Sequence, residues 1–597
     1  MVSSQKIKYL ENFIKMKRRN FIGNLAVGGG ALLSAPLLGS GESKTRDAKI
    51  PVIKHEKTLT ADAVVIGGGV GGFASALSLL ENNKTVILTE ETDWIGGQLT
   101  QQGVPPDEHP WIEFTGATRA YRNFRNAVRD YYKLNYPLTE EALTDPLFNP
   151  GSGSVSRLCH EPKVALAVLN NLIAQYLSSR QLILLLNHKA VQAEVKNDTV
   201  STVTVKDKHS NTLKHLKAPY FVDATELGDL LPLTGAEFVT GTESKKETGE
   251  LHAPEEVNPN NVQAFTTCFA MDYVAGDNHV IDKPTDYDFW KNYVPDLTPP
   301  WPDKLLDLIY THPSTLRPKA LGFHPEGVPT GNTLNLWNYR KIINKNNFKK
   351  GTYAGDITIV NWPQNDYMLG NLIGASEADF EKHFEASKQL SLSLLYWLQT
   401  EVPRPDGGKG WPGIRLRNDI MGTEDGMAKY PYIRESRRIK AVFTILEKHV
   451  GKENRALVSG KESNVAAPFY DSVGIGYYHI DLHPTCGKVN YVDFPSLRFQ
   501  IPLGALLPVR LKNLLPANKN IGTTHITNGC YRLHPVEWSI GESVGSLISF
   551  AMQHSVTPHE VRAKSDVLKA FQQFIRSRGI ETEWPDEEEL KRLLENQ

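Results

Sequence analysis

The sequence predicts an α/β protein built on a doubly wound, Rossmann-like parallel sheet. Three observations carry this reading. Residues 62–66 (D-A-V-V-I) are a short apolar, β-prone run. Gly67-Gly68-Gly69-Val70-Gly71-Gly72 follows at once and leads into F-A-S-A-L-S-L-L-E, which has helical composition. Residues 85–89 (T-V-I-L-T) then form a second buried run. Strand, glycine turn, helix and strand make the repeating unit from which sheets covered by helices on both faces are wound. The chain has 597 residues, enough for several domains or one large discontinuous one at roughly 100–200 residues per domain.

Composition excludes several classes. With 66 Lys+Arg against 67 Asp+Glu, the net charge is −1, so no basic field draws the chain onto nucleic acid. A hydrophobic content of 40% and a mean hydropathy of −0.35 describe a water-soluble globule, neither polytopic nor disordered. Cys159, Cys268, Cys486 and Cys530 are the four cysteines; without CxxC pairs or zinc-finger spacing they form neither a disulfide scaffold nor a metal knuckle.

The chain opens on an address. Lys17 to Ile22 (K-R-R-N-F-I) precede an apolar stretch from Phe21 to Leu38 that carries Gly23, Gly28, Gly29 and Gly30. This resembles a twin-arginine export signal. A Sec signal, a retained anchor and a buried helix are the alternatives, but Asn24, the glycines and Pro36 make a poor spanning helix. No lipobox cysteine follows. Residues 1–57 are therefore expected to be signal and linker, with the twin-arginine machinery as partner, a periplasmic destination and no membrane span in the mature form. That route carries folded proteins, commonly ones loaded with a cofactor in the cytoplasm.

The glycine turn contains G-x-G-x-x-G at Gly67, Gly69 and Gly72, with Gly71 inside it. The first glycine permits the tight turn, the second lets backbone approach a pyrophosphate, and the third lets the helix pack close to the strand. The helix N-terminus adds free N–H groups and a positive dipole end. Glu90 closes the second strand eighteen residues past Gly72. A carboxylate there accepts both ribose hydroxyls and repels a 2′-phosphate, so the pattern suits FAD or NAD over NADP. Glu91 is the alternative ribose ligand if Glu90 is an ordinary strand end.

The next block is W-I-G-G-Q-L-T, with Gly96, Gly97 and Gln98. Taken alone it reads equally as a surface turn. After Glu90, however, it resembles the segment that runs toward the flavin in FAD-dependent oxidoreductases of the two-dinucleotide-binding-fold type. Tyr220 to Asp229 (Y-F-V-D-A-T-E-L-G-D) is similar to the strand that returns beside FAD in that family, through Asp223, Ala224 and Thr225; Glu226 stands where the commonest pattern has Gly. Residues 513–545, holding Arg532, His534, Pro535 and Gly541, look like the closing FAD segment. The resemblance implies FAD as cofactor and an FAD domain that is discontinuous in sequence. Its parts are residues 58–235, with an excursion at about 101–156, and 491–556. Residues 236–490 form an inserted mixed α+β substrate or cap domain, and 557–597 a C-terminal helical pair. Some relatives carry polysaccharide-lyase labels that the flavin motifs do not support.

In the inserted region, Ser376 opens S-E-A-D before a run to Val402 in which Phe380, Phe384, Leu390, Leu394, Leu395 and Leu398 recur at helical spacing, a capped core helix. Six of the ten tryptophans lie there; packing is the favoured role, stacking on a sugar or aromatic substrate the other. Y-I-R-E-S-R-R places Arg434, Arg437 and Arg438 around Glu435, either a clamp for a substrate carboxylate or the flavin, or an ion-pair network. His479 and His483 have the spacing of a metal pair but sit in a strand-like alternation without a third ligand. His525 and His534 lie in the closing segment, where the resemblance places Arg532 and His534 near the flavin ring, with His525 second. The helix after Pro535 points its positive end at the flavin. No G-x-S-x-G elbow is present.

Together these features predict an exported FAD-dependent oxidoreductase that transfers a hydride between a small organic or sugar-like substrate and FAD, with His534, His525 and Arg434 as candidate catalytic residues. Reoxidation would run through an exported electron carrier or oxygen. Flavin-assisted elimination or isomerisation on a glycan, and a flavin-binding scaffold without turnover, are the alternatives.

Overall fold

The computed structural model describes residues 57–461 and 465–595; the expected export signal and most of its linker lie outside them. The apolar run after Asp62 forms strand β1 (Ala63–Ile66), and the glycine turn leads into helix α1 (Val70–Glu81). Strand β2 (Val86–Glu90) follows, then helices α2 (Arg119–Asn135) and α3 (Pro162–Ser178). Strands β3 (Leu182–Leu186) and β4 (Tyr220–Asp223) complete the N-terminal contribution. Helix α4 (Glu377–Thr400) is the long helix of the middle region. The C-terminal block supplies strand β5 (Leu514–Pro516) and helices α5 (His525–Tyr531) and α6 (His534–His554).

The central sheet runs β5-β4-β1-β2-β3 and is wholly parallel. Its strands are apolar along their length because both faces are covered. The predicted Rossmann-like α/β fold is thus present, and the last strand comes from residue 514 onward. Side chains too small to hold backbones apart allow α6 to cross α1 closely. A Cβ on Gly541 would stand 1.9 Å from the Gly71 carbonyl oxygen, one on Gly545 2.4 Å from that of Ser75, and Ser78 and Ser546 share a hydrogen bond of 2.9 Å. Helix α6 is buried from His534 to Ala551, as expected for a helix without a polar face.

Residues 188–217 form an antiparallel meander, with Lys57–Thr60 parallel on its edge. The middle region has its own sheet, ordered Lys341–Ile343, Ile357–Val360, Phe269–Tyr273, Ile414–Leu416. It also has a separate aromatic-rich core against α4. Ser376 caps α4 by accepting from the Asp379 N–H, and the six tryptophans of this region are at most 8% exposed, with Trp362 also in the wall of a cavity. The tail contains three helices, Pro558–Ala563, Ser565–Ser577 and Glu587–Glu595, one more than the expected pair. The break falls after Ala563, where Lys564 is extended before Ser565 starts a new helix. Among the described residues no helix is long and apolar enough to cross a membrane.

Candidate functional site

The glycine turn needs its glycines for different reasons. Gly67 has φ +97°, and a Cβ there would meet the Ala224 carbonyl oxygen at 2.2 Å. Both the conformation and the space forbid a side chain. Gly71 and Gly72 serve packing: a Cβ would lie 1.6 Å from the Ala517 oxygen or 1.9 Å from the Gly67 oxygen. Gly69 caps α1 and faces the second glycine pair. The Gly96 N–H donates to the Gly68 carbonyl at 2.7 Å, and a Cβ on Gly97 would stand 2.9 Å from Gly69 Cα. The W-I-G-G block is therefore the facing wall of a backbone cradle rather than a surface turn.

At the end of β2, Glu90 accepts from the Gly68 N–H at 3.0 Å, the Thr92 N–H at 2.9 Å and the Gln101 amide at 3.0 Å. Burial raises its carboxyl to about 7 against these bonds. Asp223 accepts from the Thr225 N–H and hydroxyl and the Leu230 N–H; it fixes the turn that brings Ala224 against Gly67. A narrow cleft runs along Gly67, Gly69, Glu90, Ala224 and Thr225, with Glu91 and Tyr430 on its sides. Gly541 belongs to the α6–α1 crossing and not to this cleft.

Buried polar atoms without partners continue from the cradle toward α6. They include both amide atoms of Gln102 and Gln98 Oε1. Buried polar groups are nearly always paired, so this row marks where a polar ligand belongs. A cradle free of Cβ atoms, an acid at the strand end and unpaired amides beyond them fit the pyrophosphate, ribose and ring edge of FAD. Gln98 donates to the Arg532 carbonyl at 3.0 Å and to Glu537 Oε2 at 2.8 Å, tying the cradle to the C-terminal block.

Arg532 also joins the cradle to a larger cavity of about 340 Å³. Its guanidinium donates to the Tyr432 hydroxyl at 2.8 Å and the Asp481 carbonyl at 2.9 Å. Arg434 lines the same cavity, paired with Asp366 at 2.9 Å and donating to Thr266. Arg340 pairs with Asp107 at 3.2 Å, and the Asp107 N–H donates to His534 Nδ1. His483 sits in the wall with Nδ1 2.6 Å from Asp366 Oδ2 and Nε2 3.7 Å from Asp481 Oδ2. Burial raises the Asp366 carboxyl, but Arg434 and, when it is protonated, His483 outweigh it and leave it below the usual carboxylate range. The same opposition, from His483 and Arg532, holds Asp481 well below that range.

The three candidate catalytic residues are placed differently. Arg434 is in the cavity wall. His534 opens α6 beneath it, wholly buried, its imidazole pushed down to about 4 by burial. His525 starts α5 and is held by Glu435 at 2.9 Å and, through its N–H, by Glu243; it does not line the cavity. Arg437 and Arg438 form the ion-pair network, on Asp229 and on Glu243 and Glu435. Sequence spacing drew attention to His483 as half of a metal pair; its true partner, Asp366, carried no signal. Among the described residues no group of three or more His, Cys, Asp or Glu could hold a metal ion.

A parallel sheet, a glycine turn at the end of β1, an acid at the end of β2 and a C-terminal strand and helix closing on them define a Rossmann-like flavoprotein. The FAD dependent oxidoreductase family matches residues 62–575, and the chain belongs to that family. It is an FAD-dependent oxidoreductase, and FAD is its cofactor. No curated protein matches it. Among solved structures, p-nitrophenol 4-monooxygenase PnpA from Pseudomonas putida DLL-E4 is similar at 10% identity over 90% of this chain and 93% of that one, with a TM-score of 0.33. A geranylgeranyl bacteriochlorophyll reductase-like protein from Thermoplasma acidophilum shares 10% identity over 88% and 85%, with a TM-score of 0.29. The likeness to L-proline dehydrogenase from P. horikoshii has 18% identity and a TM-score of 0.17; it covers 31% of this chain, which spans 24% of that one.

Proposed function

We propose that the chain oxidises a small hydroxyl-bearing organic or sugar-like substrate held in the cavity of about 340 Å³. The observation that carries this reading is the His483–Asp366 pair in the cavity wall, 2.6 Å apart. An imidazole whose Nδ1–H is held by a buried carboxylate presents Nε2, 3.7 Å from Asp481 Oδ2, as the nitrogen that exchanges a proton. Asp366 is fixed by Arg434 and Thr266, which orients the ring. His483 Nε2 would take the substrate's hydroxyl proton as the carbon becomes a carbonyl, the hydrogen and two electrons of its C–H bond passing to the acceptor that FAD would supply. FAD, when bound, supplies the two-electron acceptor. Arg340, Arg532 and Tyr432 offer hydrogen bonds to substrate oxygens.

The test is anaerobic flavin bleaching by a panel of simple alcohols, aldoses and sugar acids, followed with H483Q. Loss of His483 should lower the bleaching rate about 10²–10⁴-fold, with D366N intermediate; an unchanged rate in H483Q overturns the role. Export by the twin-arginine route to the periplasm, supported by the K-R-R-N-F-I segment, belongs to the same reading, with reoxidation there by an electron carrier or oxygen. Replacing Arg18 and Arg19 by Lys should hold the protein in the cytoplasmic fraction.

A further inference from the structure

A buried charge triad lies beside the glycine cradle, and the oxidation chemistry makes no use of it. Lys519 is 1% exposed. Its Nζ stands 2.5 Å from Glu226 Oε2 and 3.2 Å from Glu537 Oε1. The members come from three separate stretches: Glu226 from the turn after β4, Lys519 from the loop after β5, Glu537 from the first turn of α6. Two carboxyls share one ammonium; burial, with Glu226 beside it, raises the Glu537 carboxyl to about 7, and Glu226 is the member that faces the place of the cofactor's phosphates.

The other Glu226 oxygen makes the conflict specific. Oε1 is buried and accepts no hydrogen bond. It lies 2.8 Å from the point a Cβ would occupy on Gly69 and 3.1 Å from the same point on Gly97. These glycines are the two whose missing side chains open the cradle to a pyrophosphate. Glu226 also lines the cleft that begins at Gly67 and Glu90. An anionic oxygen thus stands in the space kept for a phosphate. An unpaired buried carboxylate oxygen is costly, and a like charge brought beside it would be disfavoured further.

We propose that Glu226 is a displaceable plug of the pyrophosphate site: its carboxylate holds the place of a phosphate over Gly69 and Gly97 in the cofactor-free chain and yields that place when FAD binds. Lys519 is the counter-ion that the incoming phosphates inherit. The plug keeps the buried Lys519 paired before loading and lowers the affinity for every ligand carrying a pyrophosphate, while leaving adenosine recognition at Glu90 untouched.

The test uses the full-length chain prepared free of flavin and titrated with FAD, ADP and adenosine. E226Q keeps the shape and removes the charge. It should bind FAD and ADP at least tenfold more tightly than wild type, with adenosine affinity unchanged. Because K519M alone leaves two buried carboxylates without a counter-ion, the lysine is tested in the background of E226Q. The double variant E226Q/K519M should lose at least tenfold in FAD and ADP affinity relative to E226Q, again sparing adenosine. Unchanged or weaker FAD and ADP binding by E226Q would overturn the proposal, showing Glu226 to be a bystander or a direct ligand of the cofactor. An equal gain for adenosine would overturn it as well, since the effect would then not reside at the phosphates.

Discussion

At the scale of single residues, position 67 has the least freedom. A Cβ there would need a left-handed backbone and would overlap the Ala224 carbonyl, so G67A should destabilise the chain by about 2–4 kcal/mol in denaturant melts and release the flavin. Arg434 has the opposite kind of constraint. R434M leaves Asp366 buried without its cation, and a broken buried pair of this kind costs about 3–5 kcal/mol; denaturation of cofactor-loaded R434M measures it. The glycines and Glu90 were legible in the sequence because their reasons are local: a turn, a strand end, a fixed distance. His483 was visible only as half of a metal-like pair with His479, since Asp366 lies 117 residues away and nothing in a one-dimensional pattern pairs them. Of the Y-I-R-E-S-R-R segment, Arg437 and Arg438 form an ion-pair network and Arg434, which lines the cavity, is paired as well, with Asp366.

At the scale of elements, α2 was hidden in what the sequence offered as an excursion. Its buried face includes Arg125 and Arg129, which bind Glu108 and Glu113 through five side-chain contacts of 2.6 to 3.1 Å and one of 2.5 Å. Tyr121, Phe124, Val128 and Tyr132 are buried on the same face at helical spacing, so the apolar pattern was there to read and the excursion reading passed over it; the charged anchors had no such signal. Replacing Arg125 by Met should cost about 3–5 kcal/mol by chemical denaturation and free the segment that carries Asp107 to the cavity. Helix α6, whose apolar and small residues announce burial, was legible from Pro535 onward. Its first residue gives a pH signature. Burial lowers the His534 pKa to about 4 from the ordinary 6.5, so the unfolded chain binds this proton first. The contribution is complete above pH 6.5 and is lost as pH falls toward 4, about 3 kcal/mol in all. H534N should lose correspondingly less stability than wild type over that window.

At the scale of the whole molecule, the fold exists because three distant blocks meet. The turn after β1, the turn after β4 and the loop after β5 touch through Gly67 and Ala224, Gly71 and Ala517, and Lys519 and Glu226. Their family likeness made the convergence readable in the sequence. The cavity was not readable, because its walls come from loops of the middle region and from both ends of the cradle, and such surfaces have no period. A ligand that binds only the folded chain stabilises it by about 2.7 kcal/mol at a hundredfold excess over Kd, so FAD should raise the melting temperature of cofactor-free protein by an amount that grows with its concentration. The most direct test is the visible absorption of the purified full-length chain, quantified against protein concentration. One equivalent of FAD per folded chain, with stoichiometric binding lost in G67A, is the predicted result; a folded chain that purifies without flavin and takes up none on titration with FAD would contradict it.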